Sequence, residues 1–448
     1  MNLRLRLTIT SFLEFFIFGA WIITFSPYAF KTLHFTGAQI GAVYGTIGIG
    51  SIFMPIIIGV IADKWFNAEL VFAICHLLAA TALFVAAQVT DPDTMFWIML
   101  LYALAYAPTI PLANAICYRV LADNSYDAVK LYPLIRVWGT VGFILALWLV
   151  SILGFELSHQ QLNIAGIAAL ALGLYAFTLP ACPANNSSQN KSLVHMLGLD
   201  ALALLKRPQI SIFFIFSILV GAILQIDNIF ISSFLHDFDS NPLYTTSFGV
   251  VYSGVIVSIS KISEVLFILT VPFFLRRYGI KTIILISTTA WVLRFGLLAY
   301  GDPGNGLWMI ILSMIIFGCA FDFFNISGSL FINMEAPSHM RASAQGLFFI
   351  MVLGIGGFGG AFFGGRVVDH FTTLINNVAV HNWSSVWLTF AIYAFIIGVL
   401  FTILFRYKHS QEKLYSDLIL KSKMDDAKQN DTYIETEEAI KRLKAYSK

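Results

Sequence analysis

Apolar stretches long enough to cross a lipid bilayer recur along this chain, and no other feature narrows its fold as much. A spanning helix needs about 20 mostly apolar residues. Such stretches fall near residues 7–30, 38–61, 69–89, 95–120, 131–154, 161–180, 209–234, 246–275, 281–300, 307–332, 343–368 and 385–406. Composition agrees: 58% of the 448 residues are hydrophobic and 12% are charged, against about 25% charged in a soluble domain. One soluble core has no room for so much apolar surface. The chain is therefore predicted to be an all-α integral membrane protein with twelve transmembrane helices. Its start, MNLRLRLTITSFLEFFIFGAW, mimics a signal peptide, but it runs on apolar past Tyr28 without a small-residue cleavage pattern, so it reads as a retained first span. Cys75, Cys117, Cys182 and Cys319 are scattered without metal spacing and read as small core residues, so neither a metal site nor a bound cofactor is expected.

The polar loop CPANNSSQNKSLVHMLGLDALALLKRPQ divides the chain in two. Residues 1–182 form a first six-helix half, 183–208 the loop between halves, 209–406 a second six-helix half, and 407–448 a polar tail. With both termini on the cytoplasmic side, 22 of the 27 lysines and arginines lie inside, as the positive-inside rule requires. The turn GVIADKWFNAE, with Gly59, Asp63 and Lys64, resembles the loop pattern of the major facilitator superfamily. PFFLRRYGIKT occupies the matching place in the second half. Twelve helices in two parallel halves around a central inner loop are that superfamily's layout, the major facilitator fold.

An ionisable side chain at the centre of a membrane helix costs about 2.5 to 3.5 kcal/mol on insertion scales, so such residues face the bundle interior, pair, or line a substrate path. This chain places Glu14, Arg136, Asp227, Lys261, Glu264, Arg294 and Asp322 within its spans. Lys261, Glu264 and Asp322 sit about half way along, at the depth where transporters bind substrate. Arg136 lies near the inner end of its span, and Asp227 and Arg294 toward the outer third, where the plain alternative is an interfacial anchor that snorkels. For Lys261 and Glu264, three residues apart on one helix face, the plain alternative is mutual neutralisation for packing.

Polar neighbours share these faces. Gln225 and Asn228 are three apart, as are Asp322 and Asn325, while Arg136, Thr140 and Phe143 form one stripe. Carboxylates and amides bond to hydroxyls, and Phe143, Phe321 and Phe323 offer rings for stacking. Together they describe a cavity for a molecule with several hydroxyls and a flat ring, although a sugar would use the same polar groups.

The segments CAFDFFNISGS, GFELSHQQL, FSPYAF, AICH, IRVWGTVGF, LGLDALAL, FFIFS, RRYGIKT, AYGDP and RASAQG resemble the bacterial nucleoside:proton symporter family. The resemblance runs from the first helix to about Lys408. It implies proton-driven nucleoside uptake across a bacterial inner membrane, with Arg136, Thr140, Phe143, Gln225, Asn228, Glu264, Phe321 and Asp322 lining the site. Relatives carry glutamine where this chain has Lys261 and Glu14, tyrosine at Phe317, and an uncharged residue at Asp227. Lys261 is the sharpest departure, because it puts an ammonium beside a substrate carboxylate, and it is counted here as a ninth substrate-binding position.

Proton coupling needs a carboxyl whose charge state changes the cost of closing around substrate. Asp322 and Glu264 are the candidates. Lys261 would hold Glu264 ionised, leaving Asp322 as the proton carrier. Four acids (Glu14, Asp227, Glu264, Asp322) also face three bases (Arg136, Lys261, Arg294), which favours protonating one acid. The partners expected are a nucleoside, protons and the bilayer, with one chain as the functional unit and no nucleic acid. A carrier of another small polar solute, a sugar or an organic anion, competes with this reading. A large added soluble domain would favour a sensor of transporter descent, and the tail at 407–448 is too short and polar to be one. No nucleophile elbow, zinc set or phosphate loop points to an enzyme; the glycines of LGIGGFGGAFFGG lie in an apolar span and serve helix approach or flexing.

Overall fold

The computed structural model describes residues 3–184, 199–337, 340–375 and 378–406. Most of the loop between halves and the polar tail at 407–448 therefore lie outside the described residues. Sixteen α-helices are described: α1 Leu3–Gly19, α2 Phe25–Lys31, α3 Gly37–Lys64, α4 Ala68–Ala86, α5 Pro92–Tyr106, α6 Thr109–Asp123, α7 Ala128–Ile152, α8 Gln160–Ala176, α9 Pro208–Asp237, α10 Phe248–Val251, α11 Ser253–Ile268, α12 Val271–Tyr300, α13 Leu307–Glu335, α14 Arg341–Phe349, α15 Gly357–His370 and α16 Trp383–Leu404. A 3-10 helix, Leu199–Lys206, precedes α9, and a π-helical stretch, Ile350–Gly356, joins α14 to α15. A short hairpin, β1 Thr372–Ile375 paired antiparallel with β2 Val378–His381, was not expected from the sequence.

Local chemistry sets several boundaries. Thr36 and Gln39 form a capping box at the start of α3. Asp91 accepts the Thr94 amide at 2.8 Å, with Pro92 in the first turn of α5. Gly279, at φ 75°, breaks α12 into two helices, a backbone conformation that glycine adopts without steric cost. The predicted first span is interrupted at 20–24 between α1 and α2, where the Tyr44 hydroxyl donates to the Ile22 carbonyl at 2.7 Å. Inside a membrane such a freed carbonyl needs a protein partner.

Among the described residues, nine helical stretches are long and apolar enough to cross a membrane. The predicted spans at 7–30, 161–180 and 246–275 are helical too, but in shorter pieces. Large apolar side chains face outward along these helices, among them Trp97, Ile152, Phe363 and Ile403. In water such a surface would aggregate; in lipid it is solvated.

The two halves meet closely at one end. Gly37 and Gly41 of α3 lie so near Gly365 and Ala361 of α15 that a Cβ on Gly365 would stand 2.0 Å from the Gly37 carbonyl. Asp369 caps this end of α3, accepting the Gly37 and Ala38 amides at 2.6 and 2.8 Å. Toward Lys64, α3 opens away: residues 51–61 are all partly or fully exposed, and a Cβ on Gly59 would meet nothing. The bundle is closed at the Gly37 end and open toward the Lys64 end.

Candidate functional site

Half way along α11 and α13, the helices bring Lys261, Glu264, Phe321 and Phe143 of α7 together. The Lys261 ammonium lies 3.1 Å from Glu264 Oε2. It stands over three rings, 4.8 Å from Phe317, 5.5 Å from Phe143 and 6.0 Å from Phe321. The rings of Phe317 and Phe321 stack 5.9 Å apart. Phe143 belongs to the first half of the chain and the other side chains to the second, so the cluster lies where the halves meet. Lys261 and Glu264 remain half-buried in it.

Asp322, next to Phe321, is 1% exposed, and its Oδ2 has no hydrogen-bond partner. A buried ionised carboxylate without a partner is costly, and a proton on it removes that cost. Asn325, one turn on, lines a small void with Phe321 and Trp291.

Other expected site residues are near but are not drawn into this cluster. Arg136 does not snorkel to an interface. Its guanidinium lies 3.9 Å over the Phe15 ring and faces a cavity lined also by Glu14, Asn114 and Tyr132. Thr140 follows one turn later, half-buried. Gln225 and Asn228 are half-buried on α9. Phe323 is not part of the site: it is fully buried and packs on Phe267 and Phe274, 6.1 and 5.2 Å away. Phe317, four residues before Phe321, borders the cluster but is as buried as Phe323, covered by Phe321, Lys261 and Arg294.

Asp227 and Arg294 are likewise not interfacial anchors. They are 2% and 1% exposed and form a two-pronged pair across α9 and α12, Nε to Oδ1 at 2.7 Å and Nη2 to Oδ2 at 3.0 Å. Arg294 also donates to the Ser313 carbonyl and faces the Phe317 ring from 4.9 Å.

Histidines, left out of the sequence-level charge balance, settle two more acids. Glu14 Oε2 lies 2.9 Å from His76 Nε2, both buried. His76 Nδ1 faces the Phe72 carbonyl at 3.0 Å. A carbonyl only accepts, so Nδ1 carries a hydrogen, while His76 Nε2 and Glu14 Oε2, though close, make no hydrogen bond of good geometry. Glu156, in the turn between α7 and α8, accepts from His236 Nε2 at 2.5 Å, the Ser253 hydroxyl at 2.5 Å and the Gly254 amide at 2.9 Å. Burial pushes its carboxyl up, but the hydrogen bond and charge of His236 and the Ser253 hydroxyl outweigh it, leaving Glu156 below the usual carboxylate range.

Comparison with known proteins was consistent with this geometry. A family model described as "Nucleoside H+ symporter" matches residues 1–410. The xanthosine permease of Escherichia coli K12 is 51% identical over 415 residues, 92% of this chain and 98% of the relative. The nucleoside permease NupG of the same organism is 50% identical over 410 residues, 91% and 97% of the two chains. A crystal structure of the nucleoside transporter NupG superposes with a TM-score of 0.85 at 50% identity, covering 91% of this chain and all of that one.

Proposed function

The chain belongs to the nucleoside H+ symporter family, and from that premise we propose that it takes up nucleosides with protons by rocking two six-helix halves about the Lys261–Glu264–Asp322 cluster. In this reading residues 1–182 and 209–406 are the moving halves, joined by twelve crossings of a bacterial inner membrane with both termini inside. The Gly37 end of α3 then faces outward, and the bundle stands open to the cytoplasm. One chain suffices, because the cluster draws on both of its halves.

The observation that carries this reading is the unpartnered Asp322 carboxyl beside an ion pair and a set of rings. Glu264, paired with Lys261, accepts from ribose hydroxyls. Phe143 and Phe321 stack the base. Arg136, Thr140, Gln225 and Asn228 line the approach from both halves. A protonated Asp322 lets the site close around substrate at low cost; an ionised, unpartnered Asp322 resists closing. Proton and nucleoside therefore cross together.

Asp322→Asn keeps the shape and removes the titration. It is expected to abolish nucleoside accumulation driven by a pH gradient while sparing exchange of labelled for unlabelled uridine in proteoliposomes. Loss of exchange with gradient-driven accumulation intact would refute the assignment.

A further inference from the structure

We propose that Trp291 and Asn325 read one hydroxyl of the substrate, the 5′ hydroxyl of a nucleoside, in the void beside Phe321. The proposal rests on the nucleoside reading above and goes beyond it in adding two residues that decide which substrate atoms are recognised.

The first argument is the indole of Trp291 on α12. The side chain is fully buried, yet its Nε1 has no hydrogen-bond partner within the protein. A buried N–H without an acceptor costs free energy, and native folds leave few of them. Aromatic neighbours hold the ring in place: it lies edge-on to Phe317 at 5.8 Å and tilted against Phe295 at 5.5 Å. Phe317 in turn stacks on Phe321 and lies under the Lys261 ammonium. The indole therefore stands one ring behind the cluster.

The second argument is the void itself. Trp291, Phe321 and Asn325 line it together, and Trp291 and Asn325 supply its only polar side chains. Its volume is about 10 Å³, room for one water-sized group. Asn325 is half-buried on α13, one turn beyond Asp322.

Chemistry selects the group that fits. An indole N–H only donates, whereas a side-chain amide both donates and accepts. A hydroxyl satisfies both residues, accepting from Trp291 Nε1 and donating to the Asn325 side-chain carbonyl. With the base stacked on Phe143 and Phe321 and the ring hydroxyls at Glu264, the 5′ arm is the part of a nucleoside still unplaced. It is one carbon ending in a hydroxyl, narrow enough for a void of this size.

The test measures uptake of labelled uridine and labelled 5′-deoxyuridine by the full chain in proteoliposomes under a fixed pH gradient. The readout is the ratio of their kcat/KM values. The unaltered protein is expected to favour uridine at least about tenfold. Trp291→Phe keeps a packing ring and removes the N–H; Asn325→Leu keeps the bulk and removes the amide. Each is expected to bring the ratio close to unity, chiefly by lowering the uridine value, whereas a merely structural role would lower both values alike. A preference that both variants leave intact overturns the proposal. So does equal transport of the two compounds by the unaltered protein, the result expected if a resident water keeps the void. Should neither variant transport, 5′-O-methyluridine decides the matter in the unaltered protein. Its ether cannot donate and its methyl does not fit, so it is expected to be rejected like 5′-deoxyuridine; transport as efficient as that of uridine overturns the proposal. Uridine uptake without any preference leaves the nucleoside reading standing, and uptake of neither uridine nor its analogues overturns both.

Discussion

Asp227 and Arg294 illustrate what a single buried side chain does and what its sequence context conceals. Each sits among apolar residues, and position along the span suggests an anchor at the membrane surface. The pairing depends on how α9 and α12 are rotated toward each other, which no local spacing records. Breaking a buried ion pair by deleting one partner costs about 3–5 kcal/mol, because the other charge is stranded, while replacing both with apolar groups is often neutral. Asp227→Ala is therefore expected to lower thermal stability by about that much in detergent, and Asp227→Leu with Arg294→Met to recover most of it, as read by intrinsic fluorescence on heating. Recovery no greater than for Asp227→Ala would count against the pair as the cause. Lys261 and Glu264 were legible from the start, since three-residue spacing on one helix fixes their meeting. Phe317 was legible in principle, four residues before Phe321 on the same face. His76 was legible as an ionisable residue in an apolar span, but its partner lies two helices away.

At the scale of elements, hydrophobic runs located the helices but not their continuity. Lipid depth is set by composition, whereas a break is set by which protein groups satisfy the freed backbone. Gly19 and Pro27 flank the break at 20–24, and Tyr44, reaching the Ile22 carbonyl from α3, satisfies a backbone group freed there. Pro108 and Gly279 stand at breaks that their residue types favour, although 95–120 was expected to be one span. The glycines near the end of the chain were rightly read as permitting close approach: Gly365 of α15 meets Gly37 of α3 backbone to backbone. Gly365→Leu is expected to wedge these helices apart. Spin labels at His34 and Ser240, both exposed near this end, should report a longer distance. Uptake should fall at least about tenfold, since 1.4 kcal/mol of lost closure is enough for that. An unchanged distance would show that α3 and α15 do not hold the closed end.

For the whole molecule, lysine and arginine placement supports an orientation, but which end is shut depends on contacts between residues far apart in the chain. Ser26 meets Ser233 at 2.7 Å, Trp148 donates to Ser258 at 2.8 Å, and Lys31 approaches Asp237 and Asp239 to 4.0 Å, each joining one half to the other. Glu156 is the most heavily bonded of these bridges, with His236, Ser253 and Gly254 all on the opposite half. Its carboxyl is held below the usual range in this closed arrangement. A group lowered in one state stabilises that state above its ordinary pKa and loses the effect as pH falls through the lowered value. With an ordinary glutamate near 4.3, the Glu156 carboxylate keeps its charge from about pH 8 to about pH 5, and its contribution weakens only below that window. Glu156 itself therefore contributes no pH dependence within it. Labels at His34 and Ser240 test this directly. The unaltered protein should give one distance distribution at both ends of that pH window, while Glu156→Gln should shift toward longer distances at both. A pH-dependent distance in the unaltered protein would instead show that a titration within the latch, at Glu156 or its partner His236, opens the closed end in the working range.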